Sequence, residues 1–362
     1  MASGFVSLAR CSHSTLDLGE DCRLHISVAP PLDNRAPPSF VLYILDPEFE
    51  LFATAASHLY SRFNYVSSDD DESASVLRKV ALVGVGHHPS LFEAGAFKFS
   101  VTALRDLRRK HFRDDTDGSF VEALCTKVVP YCESTLLGIT THVAPSQRAL
   151  LGSSLSSLPA LRTVLRGTSG GAGGGDVFGN LICGSPSLIF TPKLVQDARN
   201  ASRGPPSATP VRILIIVGEA ESRRKADGGN GIPQAAEYTA SLLSHCGHRT
   251  EMIAIDQETH NSLKPSQVSR ALGWLEQCWG DKEAAGPMPT VALRPSQLVV
   301  KDDLPSEMAD FRAFWQSEDG RKLVARVRAA QSSSHSLGSH AAAIGVVAIV
   351  AAVVLAAARG RQ

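Results

Sequence analysis

A serine at the end of an apolar strand is the clearest chemical signal in this chain. Residues 148–151 (RALL) read as a buried strand running into Gly152-Ser153-Ser154-Leu155-Ser156 and then into a helix. A tight strand-to-helix turn lifts its serine hydroxyl clear of the sheet. It also leaves the next backbone N–H, that of Leu155, at the positive end of a helix, where an oxyanion would be held. Ser154 is therefore the candidate nucleophile. A serine hydroxyl is weak alone, so a base must take its proton and an acid must orient the base. For a nucleophile elbow of this kind the partners are expected in the chain order serine, then Asp or Glu after a later strand, then histidine.

His260 lies in Asp256-Gln257-Glu258-Thr259-His260-Asn261-Ser262, after a predicted strand and before a predicted helix. Loops at the carboxyl ends of parallel strands are where such sheets gather function. His87 and His88 sit at another strand end and are the main rivals among the twelve histidines, but chain order favours His260. The acid is expected at the end of residues 211–217 (VRILIIV), where it can accept from the imidazole Nδ1 and fix its tautomer. Glu219 and Glu221 both stand there, and periodicity does not separate them.

The elements that must position these groups alternate. Residues 39–45 (SFVLYIL), 80–85 (VALVGV), 149–151, 180–183, 211–217 and 249–255 read as buried strands. Residues 49–63, 120–137, 235–246 and 267–279 carry helical patterning, and a helix follows the elbow. Cys125 and Cys132, seven apart in a helical pattern, are both expected to face the core. Strands alternating with helices predict a mostly parallel central sheet covered on both faces. Residues 67–75 (SSDDDESAS) read as an acidic surface insertion. The glycine-rich residues 167–176 lack the Gly-Lys-Ser/Thr ending of a phosphate loop and read as a flexible insert without chemistry.

Composition sets the limits. With 362 residues, 43% apolar and 20% charged, the chain can build a full core. Lys plus Arg and Asp plus Glu balance at 36 each, so no basic surplus points to nucleic acid. Seven cysteines without C-x-x-C spacing suit neither a disulfide framework nor a zinc site, and reduced thiols in a cytosolic setting are expected. The N-terminus has no long apolar stretch, so no cleaved signal is expected. Residues 341–358 are different: this unbroken apolar run ends in Arg359-Gly360-Arg361-Gln362. As a helix it would reach about 27 Å, close to the hydrocarbon thickness of a bilayer. The expected organisation is a catalytic domain over 1–279, a loop and helical extension over 280–330, a polar linker over 331–340 and a transmembrane tail anchor over 341–358.

In its motifs the chain resembles the α/β-hydrolase family of esterase D and the enterochelin and salmochelin esterases. The matching pieces are FVLYILDPEFELF, VALVGVGHH, FVEALCTKVVPYCE, ALLGSSLSSLPAL, CGSPSL, ILIIVGEAES and DQETHNSL, in order over about residues 20 to 279. The resemblance implies an α/β-hydrolase fold with Ser154 as nucleophile, His260 as base and Glu221 as the acid in preference to Glu219. It implies an oxyanion hole formed by the backbone amides of Leu155 and Glu48, with Pro47 in place of the family's glycine. Ser153, Ser156 and Ser157 stand where the family carries His-x-x-Gly-Gly residues, Pro159 falls early in the next helix, and Ile189 stands where an aromatic follows the Ser-Pro-Ser turn. Serine side chains at glycine positions have to be housed in a tight turn. The Ser-Pro-Ser turn, Ser185-Pro186-Ser187, leans toward the siderophore-esterase branch.

The expectation is thus a tail-anchored serine esterase acting on a small ester, possessing a Ser-His-Glu triad, forming an acyl-enzyme and needing no cofactor or metal. It would be bound to a membrane through its C-terminal helix, with the catalytic domain on the cytosolic side. The alternative expectation is a catalytically inactive, membrane-tethered binding protein on the same fold.

Overall fold

The computed structural model describes residues 11–19, 22–33, 37–47, 51–63, 75–88, 101–115, 118–167, 176–222 and 231–280. Eight strands form one sheet: β1 (Ser12–Asp17), β2 (Arg23–Ala29), β3 (Phe40–Leu45), β4 (Val80–His87), β5 (Arg148–Ser153), β6 (Asn180–Gly184), β7 (Arg212–Gly218) and β8 (Arg249–Ile255). Their spatial order is β1-β2-β4-β3-β5-β6-β7-β8. From β4 to β8 every neighbouring pair is parallel, whereas β1 with β2 and β2 with β4 are antiparallel. The expected mostly parallel sheet is present, with an antiparallel edge that the strand patterning did not predict.

The helices are α1 (Leu51–Phe63), α2 (Val101–Arg108), α3 (Ser119–Ala123), α4 (Val129–Tyr131), α5 (Ser157–Gly167), α6 (Pro192–Ala201), α7 (Ile232–His245) and α8 (Leu263–Gly280). Successive side chains of a strand point to opposite faces, so each central strand feeds two cores. Tyr43, Leu150, Leu181 and Ile213 face one way, against α3 to α7. Leu42, Leu151, Ile182 and Leu214 face the other, against α1 and α8. Each fully buried aliphatic side chain contributes about 1.5–3 kcal/mol relative to exposure, which makes burial on both faces the main force holding the strands in place.

The region expected as one helix over 120–137 is α3 and α4, each followed by a π-helical turn, Leu124–Val128 and Cys132–Leu136. Pro130 lies inside this run and has no N–H to donate, so the regular ladder is broken there. Cys132 is buried and Cys125 is half-buried, packed against the same core from its margin. Beneath this region Arg148 at the start of β5 makes a bidentate pair with Glu133, at 2.6 and 2.8 Å, and the Tyr43 hydroxyl donates to the same carboxylate at 3.1 Å.

The acidic insertion apart from Ser75, most of the glycine-rich insert and residues 281–362, including the extension, linker and apolar tail, lie outside the described residues. Among the described residues no helix is long and apolar enough to cross a membrane.

Candidate active site

The elbow is set by what crowds Gly152. A Cβ there would lie 2.1 Å from the Ser156 carbonyl oxygen, so only glycine lets the chain fold back over the end of β5. Ser153 is extended (φ −132°, ψ 139°), and Ser154 then turns into the left-handed region at φ +59°. That conformation costs a non-glycine residue about 1–2 kcal/mol. A 3-10 turn over Ser154–Ser156 leads directly into α5. Leu155 is the second residue of this turn, where an N–H has no partner within the helix.

The serines at the family's glycine positions are absorbed by hydrogen bonds. The Ser156 hydroxyl accepts from the Ser153 N–H at 2.9 Å and donates to the Ser153 carbonyl at 2.8 Å. The Ser157 hydroxyl lies 3.0 Å from the Gly152 carbonyl and 3.1 Å from the Gly184 carbonyl, sharing its proton between the ends of β5 and β6. Pro159 has no N–H for the Leu155 carbonyl, and the Ser157 N–H is directed at the Leu155 and Ser154 carbonyls instead.

Three predicted side chains meet above the carboxyl ends of the parallel strands. His260 Nε2 is 2.9 Å from Ser154 Oγ, and His260 Nδ1 is 2.9 Å from Glu221 Oε2. Glu221 belongs to a 3-10 turn, Glu219–Ser222, that follows β7, and it is 2% exposed. Its other oxygen accepts from the Gly218 N–H at 2.9 Å and from the Ser185 hydroxyl. Burial favours the neutral acid, but the bonds from His260, Ser185 and Gly218 together hold the carboxyl below its ordinary value. Glu219 is exposed on the same turn, so burial separates the two acids that periodicity did not.

The histidine loop is tied to the acid turn through Glu258. Its carbonyl accepts from the Ala220 N–H at 3.1 Å and lies where a Cβ on Gly218 would be, 2.1 Å away. Its carboxylate accepts from the Ser262 hydroxyl and, at 2.7 Å, from that of Ser266.

The rival histidines are engaged elsewhere. His87 is buried, with Nε2 3.0 Å from His111 Nδ1 and the two rings stacked. The His88 ring meets His25 edge-on. Asp46, just past the end of β3 at φ +57°, is clamped by Arg108 at 2.9 and 2.7 Å. Burial raises the Asp46 carboxyl, with Arg108 opposing. Pro47 follows it, and Glu48, the other expected oxyanion amide, lies outside the described residues.

Sequence reasoning assigned no role to Ser185 or Ser187. Both are buried in the turn after β6, and Ser185 has φ +37°. The Ser187 hydroxyl is 3.0 Å from Ser154 Oγ, and its N–H donates to the Ser154 carbonyl at 3.2 Å. The Ser-Pro-Ser string itself was the available signal. A cleft of about 640 Å³ lies beyond this turn, lined by Arg113, Arg162, Phe190, Lys193 and Asp197 among others, but not by Ser154, His260 or Glu221. Phe190, next to Ile189, is 46% exposed there. No group of three or more His, Cys, Asp or Glu side chains among the described residues is placed to hold a metal ion.

No protein-family model and no curated protein sequence matches the chain. Solved structures do. The chain is similar to the siderophore hydrolase EstA from Aspergillus nidulans, at 17% identity and a TM-score of 0.55, over 74% of this chain and 94% of that one. It is similar to the siderophore hydrolase EstB of the same organism at 18% and 0.55, over 76% and 98%. It is also similar to the BES protein from Bacillus cereus at 19% and 0.51, over 74% and 95%. The likeness is one of fold: an eight-stranded, mostly parallel α/β-hydrolase-like sheet.

Proposed function

We propose that the chain is a serine esterase. His260 takes the proton of Ser154 at Nε2 as Oγ attacks an ester carbonyl, and the amides of Leu155 and Glu48 receive the tetrahedral oxyanion. Collapse breaks the bond to the leaving alkoxide, which takes the proton from His260. Water then attacks the acyl-enzyme, giving its proton to the same nitrogen, and the acid product leaves as Ser154 regains its hydrogen. Glu221 stays ionised throughout and fixes the imidazole tautomer.

The observation that carries this reading is the unbroken run from Glu221 through His260 to Ser154, two contacts of 2.9 Å ending on a serine in a left-handed turn. The likeness to the two Aspergillus siderophore hydrolases favours a siderophore-like ester, or another small ester, as substrate. The full chain in mild detergent is expected to react with a fluorophosphonate probe, and Ser154→Ala is expected not to. An unlabelled parent, or equal labelling of both proteins, refutes the esterase and leaves a binding module.

The apolar run 341–358 supports a tail anchor with the catalytic domain on the cytosolic side. Retention in membrane pellets after an alkaline carbonate wash is expected, and release into the wash would refute it.

A further inference from the structure

Ser154 Oγ has two close partners and one proton to give. It lies 2.9 Å from His260 Nε2 and 3.0 Å from Ser187 Oγ. The directions of these bonds follow from the other end of the site. Glu221 takes the Gly218 N–H and the Ser185 hydroxyl on one oxygen and faces His260 Nδ1 with the other. A carboxylate can only accept, so Nδ1 carries a proton, and an imidazole able to act as the base offers its lone pair at Nε2. Ser154 must donate there. The one arrangement that then satisfies the 3.0 Å contact has Ser187 donating its hydroxyl to Ser154 Oγ.

We infer that Ser187 is a further catalytic residue, a fixed donor to the nucleophile oxygen; this rests on the esterase reading above. The donor is well held. Ser187 is 2% exposed, its N–H reaches the Ser154 carbonyl at 3.2 Å, and its own carbonyl accepts from the Phe190 N–H at 3.1 Å. As His260 removes the proton, negative charge grows on Oγ and the bond from Ser187 becomes charge-assisted. When the acyl-enzyme later breaks down, Oγ is the leaving atom and meets the same donor. Ser187 transfers no proton in either step, because His260 carries it both ways. The Ser185-Pro186-Ser187 turn thus touches both ends of the triad, Ser185 holding the acid and Ser187 the nucleophile.

The experiment compares Ser187→Thr with Ser187→Val, two side chains of one shape that differ by the hydroxyl, in the full chain in detergent. The readouts are the inactivation constants for a fluorophosphonate and the thermal midpoint. Threonine is expected to keep the parent rate within about 3-fold, and valine to lower the maximal rate about 10- to 100-fold with unchanged probe affinity. Equal rates for the two variants overturn the assignment while leaving the esterase intact, because the parent still labels. If either β-branched residue lowers the thermal midpoint, Ser187→Ala decides: a 10- to 100-fold loss in a normally folded protein supports the donor, and a parent-like rate refutes it.

Discussion

Two buried histidines make the fold acid-labile by a calculable amount. His87 closes β4 at 1% exposure, and its Nδ1 has no hydrogen-bond partner among the described residues. Burial, then the neighbouring His111 and Arg108, push it down to about 3. His248, 6% exposed, accepts from the Val211 N–H at 3.3 Å and is pushed by burial down to about 4. Unfolded, each titrates near 6.5, so between that value and the folded one the unfolded chain binds more protons and stability rises with pH. The stabilisation is complete above about pH 6.5 and is lost as pH falls below it. Between about pH 7.5 and pH 5 each histidine costs about 2 kcal/mol, a figure set by the unfolded value because both folded values lie below 5. Together they remove about 4 kcal/mol from a domain whose whole stability is of order 5–15.

The perturbation is His87→Phe, which keeps a ring against Phe112, whose centroid is now 5.3 Å away, and removes the titration. Urea unfolding followed by tryptophan fluorescence reads buried Trp274 and Trp279 of α8. The parent's loss between the two pH values is expected to fall by about half in the variant. Carboxyls such as Asp46, Asp115 and Glu221 titrate in both proteins and cancel in this difference. A His87→Phe protein as acid-sensitive as its parent would refute the reasoning.

Two further outcomes follow from side-chain geometry. Glu221→Gln places an amide NH₂ where three donors converge, and should lower kcat by about 10³- to 10⁴-fold, whereas Glu219→Gln on the exposed side of the turn should change it less than about 2-fold. Steady-state rates with a nitrophenyl ester decide this, and the reverse order would transfer the acid's role. Glu133→Ala leaves the Arg148 guanidinium, 8% exposed, without its partner, and urea midpoints should report a loss of about 3–5 kcal/mol. A loss below about 1 kcal/mol would place that pair among the weak surface bridges.

The strands β3 to β7 were legible because a strand covered on both faces must be apolar along its length, whereas β8, half-buried at the sheet edge, showed through its run Met252-Ile253-Ala254-Ile255. β1 was not: SHSTLD lies at the sheet edge, mostly exposed, and carries no apolar alternation to see. α2 and α6 were missed because VTALRDLR and PKLVQDARNA are rich in charge, although α6 buries Leu194, Val195 and Ala198 in the core. Within the site, Ser154 and His260 were legible from strand ends and chain order. The choice between Glu221 and Glu219 depends on which carboxyl the histidine loop covers, and that contact comes from 39 residues away. The bonds from Ser185 and Ser187 join residues 36 and 33 apart, a distance at which local spacing carries no information.

Among the described residues, four non-glycine residues hold positive φ: Asp46, Ser154, Ser185 and Gln257. Each stands just past the carboxyl end of a parallel strand, so this backbone tension is gathered on the rim where Ser154, His260 and Glu221 meet. A search for hardier versions of this protein would find gains in backbone strain there, since glycine relaxes such positions, but at Asp46, Ser154 and Ser185 it also removes side-chain hydrogen bonds. Those gains would slacken the framework that aims Ser154 at His260. Thermal tolerance and turnover are therefore set against each other at these four places, and improvement of one without harm to the other has to come from the opposite end of the sheet.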